Sequence, residues 1–92
     1  MVKVAWTRRA VEDLGRLHEF LKVVNPTAAA KILQNLVKAP SALIGNPRMG
    51  ERIEAFESRE IRRLLVARYE LRYEIKEATL YILRIWHTRE ER

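Results

Sequence analysis

Apolar and polar positions alternate, then recur at helical spacing, then alternate again along this chain. Val2 to Trp6 has period two and predicts a short first strand. Thr7 is a good N-cap, although Arg8 and Arg9 in the first turn oppose the helix dipole. Val11, Leu14, Leu17, Leu21 and Val24, flanked by Ala10 and Phe20, then predict an amphipathic helix over 8–23. Asn25-Pro26 ends it and opens the next helix, with Asn25 as cap and Pro26 at the favoured first position. Ala29, Ile32, Leu33, Leu36, Val37 and Leu43 carry the second apolar stripe. Pro40 interrupts it, which predicts a kink or an end one turn early. Helices joined so closely form an antiparallel hairpin, and its apolar seam needs a sheet to cover it.

Gly45 to Gly50 is loop chemistry, and 51–58 is polar with no clear element. Ile61, Leu65 and Val66, with Arg62 and Arg63, read as a second strand. Tyr69, Leu71, Tyr73 and Ile75 alternate with Arg68, Glu70, Arg72, Glu74 and Lys76, a half-buried third strand. Lys76-Glu77-Ala78 is a tight turn, and Thr79–His87 is dense enough in β-branched and aromatic residues to be the central strand. The order β-α-α-β-β-β predicts an α+β fold in a single domain over 1–92. It consists of a small antiparallel sheet, built as a meander of hairpins, with the helical hairpin packed on one face. No repeats interrupt this order.

Composition narrows the chemistry. Ninety-two residues with no cysteine and two histidines far apart, His18 and His87, predict no disulfide, no metal site and no cofactor. The N-terminus turns charged by Arg8, unlike a signal peptide, and no apolar run approaches a membrane span, so a cytoplasmic protein is expected. Net charge is +6, with thirteen arginines against five lysines. The excess is even: 1–58 and 59–92 each carry nine basic and six acidic side chains, so there is no basic tail. Arg59, Arg62, Arg63, Arg68 and Arg72 nevertheless fall together between positions 59 and 72. Guanidinium groups suit carboxylates and phosphates, so the partner is anionic, a nucleic acid or an acidic peptide, unless the cluster is simply a solvated sheet face.

The last strand runs directly into His87, Arg89, Glu90, Glu91 and Arg92. A rigid strand delivering a histidine and an arginine to its mouth can place chemistry; it can equally run out into water as a frayed end. His87 has the plain alternative of a strand-end histidine bonded to backbone. His18 reads as a boundary residue beside the core stripe, and Trp6 and Trp86 read first as packing anchors.

Several phrases together resemble the RelE/ParE superfamily of type II toxin–antitoxin toxins. They are WTRRAVEDL with its A-x-x-D-L phrase, NPTAAAKIL, NPRMGERI, REIRRLLVARYELRYEI and the ending ILRIWHTREER. The resemblance covers nearly the whole chain and is nearer the ParE-like, plasmid-stabilisation branch, because His87-Thr88-Arg89-Glu90-Glu91 is similar to the H-x-R-x-D tail of those toxins. It implies a toxin neutralised by a cognate ParD- or RelB-like antitoxin through an acidic wrapping segment, the complex acting on operator DNA through the antitoxin. It also implies one of two targets. A ParE-like toxin poisons DNA gyrase without catalysis, with Trp86, His87, Arg89, Arg92, Arg62 and Arg63 as partner-binding candidates. A RelE- or YoeB-like toxin cleaves mRNA on the ribosome, and would use His87 as acid or base. Arg62, Arg68, Arg72 and Arg89 would then stabilise the phosphorane, with Tyr69, Tyr73 and Tyr81 stacking on bases. Glu70 stands about where nuclease members carry a phosphate-binding arginine, and Glu54 and Glu57 replace a basic loop. The gyrase branch is therefore favoured, with a degenerate toxin that only binds its antitoxin as a third reading.

Overall fold

The structure, a computed structural model, describes residues 2–90. The elements are β1 (Lys3–Trp6), α1 (Arg8–Val24), α2 (Pro26–Gly45), β2 (Glu51–Arg52), β3 (Glu60–Val66), β4 (Tyr69–Lys76) and β5 (Thr79–His87). They form one sheet in the order β1-β5-β4-β3-β2. The β2–β5 pairings are antiparallel as expected, whereas β1 adds to β5 in parallel, Lys3 opposite Thr79 and Trp6 opposite Ile82. Alternation along β1 shows that it is a strand but carries no trace of its partner or direction. Part of the uncertain 51–58 stretch supplies β2. The expected central strand is interior, between β1 and β4, but β4 holds the middle position.

Thr7 fastens the start of α1 to the sheet. Its Oγ1 accepts from the Ala10 N–H at 3.2 Å and donates to the Ile82 carbonyl at 2.7 Å, so one hydroxyl both caps the helix and binds β5. The buried face of α1 comprises Ala10, Asp13, Leu17 and Leu21, while Val11 and Val24, expected in the stripe, are exposed. A carboxylate, Asp13, thus occupies a position on the buried face. Asn25 opens α2 without a side-chain cap bond, leaving Pro26 as the starting signal. Of the two outcomes expected at Pro40, the early end does not occur: α2 continues through buried Pro40 to Gly45. The ring lacks one N–H donor, and burial of Pro40 opposes that local loss.

The core lies between the hairpin and one sheet face. Leu17, Leu36 and Leu43 meet Leu71, Leu80 and Ile85 there. Tyr73 is fully buried on the same face, donating its hydroxyl to the Pro47 carbonyl at 2.7 Å and accepting from the Gly50 N–H at 3.0 Å. A Cβ at residue 50 would lie 2.6 Å from the Arg63 carbonyl and 2.7 Å from the Tyr73 hydroxyl, so only glycine fits this approach. Both hairpin turns place a non-glycine at positive φ, Ala67 at 55° and Glu77 at 57°. No helix among the described residues is long and apolar enough to cross a membrane.

Candidate functional site

The shortness of β1 shapes the end of the sheet. Beyond Ile82 the outer edge of β5 has no strand beside it, and the register slips by one residue between Arg72 and Tyr73, leaving Leu83 extra on β5. Side chains from α1 take over the edge. Asp13 accepts from the Ile85 N–H at 2.9 Å, and Arg16 donates to the Ile85 carbonyl at 3.2 Å. Asp13 also accepts from Arg84 Nε and Nη2, at 2.8 and 3.2 Å, and from Arg16 Nη2 at 3.2 Å. Burial pushes this carboxyl's pKa up, but the hydrogen bonds from Arg84, the Ile85 N–H and Arg16 outweigh it and hold the value below the ordinary 3.8. The A-x-x-D-L phrase was thus the sequence signal for this anchor.

Arg16 continues outward to Glu90, with which it forms an ion pair. Glu90 also accepts from the His87 N–H at 2.9 Å, and its own N–H donates to the His87 carbonyl at 3.0 Å. The Thr88 N–H extends the ladder to the Arg68 carbonyl. The tail through Glu90 is therefore a closed turn, not the frayed end considered above; Glu91 and Arg92 lie outside the described residues.

This turn and the second half of α1 border a two-lobed groove. Leu17, Phe20, Tyr69 and His87 line the first lobe, of about 490 Å³, with Arg16, Arg89 and Glu90 at its rim. The second lobe shares Phe20, Tyr69 and His87 and adds Leu21, Val24, Ile32 and Arg68. Phe20 is 62% exposed. His87 meets the Tyr69 ring edge-on, centroids 5.2 Å apart. Its Nδ1 accepts from the Arg89 N–H at 3.1 Å. Burial pushes the Tyr69 phenol up, with nearby Glu90 adding to the shift. Arg68 and Arg89 are exposed and make no ion pair among the described residues. Periodicity named Phe20 only as a flanking residue; its exposure beside His87 depends on how α1 is rotated.

The opposite sheet face holds a different set. Successive residues on a strand point to opposite faces, so Trp86 points away from His87. Trp86 is 7% exposed, beneath the guanidinium groups of Arg72 and Arg84 at 4.8 and 4.9 Å from its ring centroid. Arg72 donates to Glu70 at 2.9 Å; Arg63 lies 3.0 Å from Glu51 and 3.8 Å from Glu70. Arg59 pairs with Glu74 through two bonds, and Arg62 binds Glu60 and the Gly50 carbonyl.

The structure therefore brings His87, Arg68 and Arg89 together and leaves the other candidates elsewhere. Arg62 stabilises the Pro47–Gly50 loop, Arg63 and Arg72 are paired across the sheet from His87, and Trp86 is stacked and buried. Tyr73, expected as a base-stacking candidate, is enclosed in the core; Tyr69 is an inner wall of the groove and Tyr81 is half-buried. His18 is exposed, and Trp6 packs on the core. No cluster that could hold a metal occurs among the described residues.

With this geometry in place, comparison with known proteins is informative. Residues 4–92 match the model of the ParE toxin of the type II toxin–antitoxin system parDE. The chain belongs to this toxin family. A similar relative, Toxin RelE2 of Caulobacter vibrioides, is 31% identical over 87 residues, covering 95% of this chain and 96% of the relative. The fold resembles that of a solved structure described as a chromosomal ParDE system from P. aeruginosa, with TM-score 0.77, 24% identity and coverage of 95% and 96% of the two chains. As a member of the ParE/RelE toxins, the chain is a type II toxin–antitoxin toxin, and its family implies a cognate antitoxin as partner.

Proposed function

We propose that this ParE-family toxin arrests growth by binding and poisoning DNA gyrase, not by cleaving mRNA. The observation that carries the reading is the separation of the groups that cleavage would need. His87 faces the groove, whereas Arg63 and Arg72 lie on the other sheet face bonded to carboxylates, and Arg62 is bound to Glu60 and a loop carbonyl. Phosphodiester cleavage requires acid, base and cations converging on one phosphate. A binding poison requires only a complementary surface. The groove offers one, with an apolar floor, an exposed Phe20 and two arginines that make no ion pair among the described residues. The same charge suits an acidic antitoxin segment, so target and antitoxin would compete for one region.

One arrangement favours the second reading. His87 is an acid/base group flanked by Arg68 and Arg89, which make no ion pair among the described residues, and a ribosome-dependent nuclease would use that trio. Supercoiling and cleavage assays with purified gyrase decide between them. The gyrase reading expects linear DNA to accumulate with toxin, and His87→Ala to reduce inhibition by less than about tenfold. Intact gyrase activity with positioned mRNA cuts, abolished about 10²-fold or more by His87→Ala, would reverse the assignment.

A further inference from the structure

We propose that Arg16, acting through Glu90, is a positioning residue that sets His87 and Arg89 at the groove. Leu80 and Ile82 face the core, but the next core residue is Ile85 and not Arg84, because Leu83 is the extra residue of the bulge. That change of phase by one residue turns His87 toward the groove and Trp86 away from it. Past the bulge no strand lies on the outer side of β5, and α1 holds this stretch from three positions. Thr7 Oγ1, bonded to the Ile82 carbonyl, also donates to the Leu83 carbonyl at 3.2 Å. Asp13 accepts from the Ile85 N–H, and Arg16 donates to the Ile85 carbonyl. Arg16, the last of the three, then reaches the tail through its pair with Glu90.

The tail turn is bonded in both directions. The Glu90 carboxylate accepts from the His87 N–H while His87 Nδ1 accepts from the Arg89 N–H, the reciprocal pattern of a capping box. The orientation of the His87 ring and the path of the chain at Arg89 therefore both depend on where Glu90 is held. Global stability does not account for the pair. Its side chains are 41% and 29% exposed, and exposed pairs contribute little to folding. Asp13 also keeps Arg84 and the Ile85 N–H when Arg16 is removed. What the pair sets is the order of the tail, and a turn ordered in advance costs less to immobilise when a partner docks. This role rests on the groove being the partner-binding face, as proposed above.

The test compares wild type with Arg16→Gln, Glu90→Gln and the double variant. Each is followed by thermal unfolding, amide hydrogen exchange, nuclear Overhauser contacts between the His87 and Tyr69 rings, and inhibition of purified gyrase. Each single variant should unfold within about 5 °C of wild type. Exchange at the His87 and Glu90 amides should nevertheless rise about fivefold or more, and the ring contacts should weaken. The toxin concentration giving half-maximal inhibition should rise about threefold or more. The double variant should match Arg16→Gln, because the two residues act through one contact. Arg16→Lys should recover part of the loss. Arg8→Gln, which removes an exposed pair with Glu12 on the same helix, should change none of these readouts. Unchanged exchange and ring contacts in folded Arg16→Gln overturn the proposal whatever happens with gyrase. So do additive losses in the double variant, or an Arg16→Gln midpoint equal to that of an inhibitory wild type. A wild type without effect on gyrase removes the gyrase reading alone, since exchange and ring contacts still decide whether Arg16 positions His87.

Discussion

The two sides of the sheet hold similar residues in opposite conditions. In the groove, Tyr69 and His87 stand beside Arg68 and Arg89, whose charges have no acidic partner among the described residues. On the other face, Trp86 stands beside Arg72 and Arg84, and these guanidiniums are bound to Glu70 and Asp13. The difference teaches that arginine count is a poor guide to where a basic protein meets its partner. What matters is which arginines lack a carboxylate within reach. A paired guanidinium stacked on an indole is structural; an exposed one beside an apolar groove is available for recognition.

Asp13 belongs to both regions, because Arg84 leads from it to Trp86 and Arg16 leads from it to Glu90 and the groove. Removing it is the most severe way to break the comparison. Asp13→Ala strands the Ile85 N–H and the Arg84 guanidinium, and should lower unfolding free energy by about 3–5 kcal/mol in denaturant titration. The pH dependence has a defined sign. The folded-state pKa is depressed, so the stabilisation is fully present above the ordinary 3.8 and is lost as pH falls below it. In Asp13→Asn that acid-limb contribution should disappear from the stability profile.

The two exposed-versus-buried aromatics sharpen the contrast next. Trp86→Ala should cost about 3 kcal/mol, as for other buried large aromatics, whereas Phe20→Ala should change stability by no more than about 0.5 kcal/mol and act instead on partner binding. Equal thermal shifts for the two variants would erase the distinction. The smallest effect is electrostatic. Arg68→Gln and Arg89→Gln should each slow association with an acidic antitoxin a few-fold at low salt while leaving folding unchanged, and the difference should fade at high salt. Stopped-flow association rates at two ionic strengths measure it, with Arg59→Gln, whose guanidinium is paired to Glu74, as the variant expected to do less.

Much of this fold was legible in the pattern of side chains, and the exceptions have particular causes. Thr7, Asn25-Pro26 and Glu77 mark boundaries because caps and turns are local chemistry. Pro40 left a kink or an early end open, and only the packed helix excludes the early end. Val11 and Val24 sit on the apolar stripe yet are exposed, while Asp13, a charged residue, is buried on the inner face. The site was half-legible. His87 and Arg89 were visible at the strand's mouth, but Phe20, Arg16 and Asp13 are separated from it by about seventy residues and join it only through packing. Glu70 was visible as an odd charge, though not as the buried partner of Arg63 and Arg72.

By itself the sequence determined the elements, their order, the family and the residue types available for recognition, because periodicity, capping and motif are written over short stretches. Only the tertiary structure decided that β1 joins β5 in parallel, that Asp13 seals the edge β1 leaves bare, and that the arginines divide into paired and free sets. Those outcomes depend on which distant groups come within a few ångströms of one another. Charge pairing acts through that distance and not along the chain.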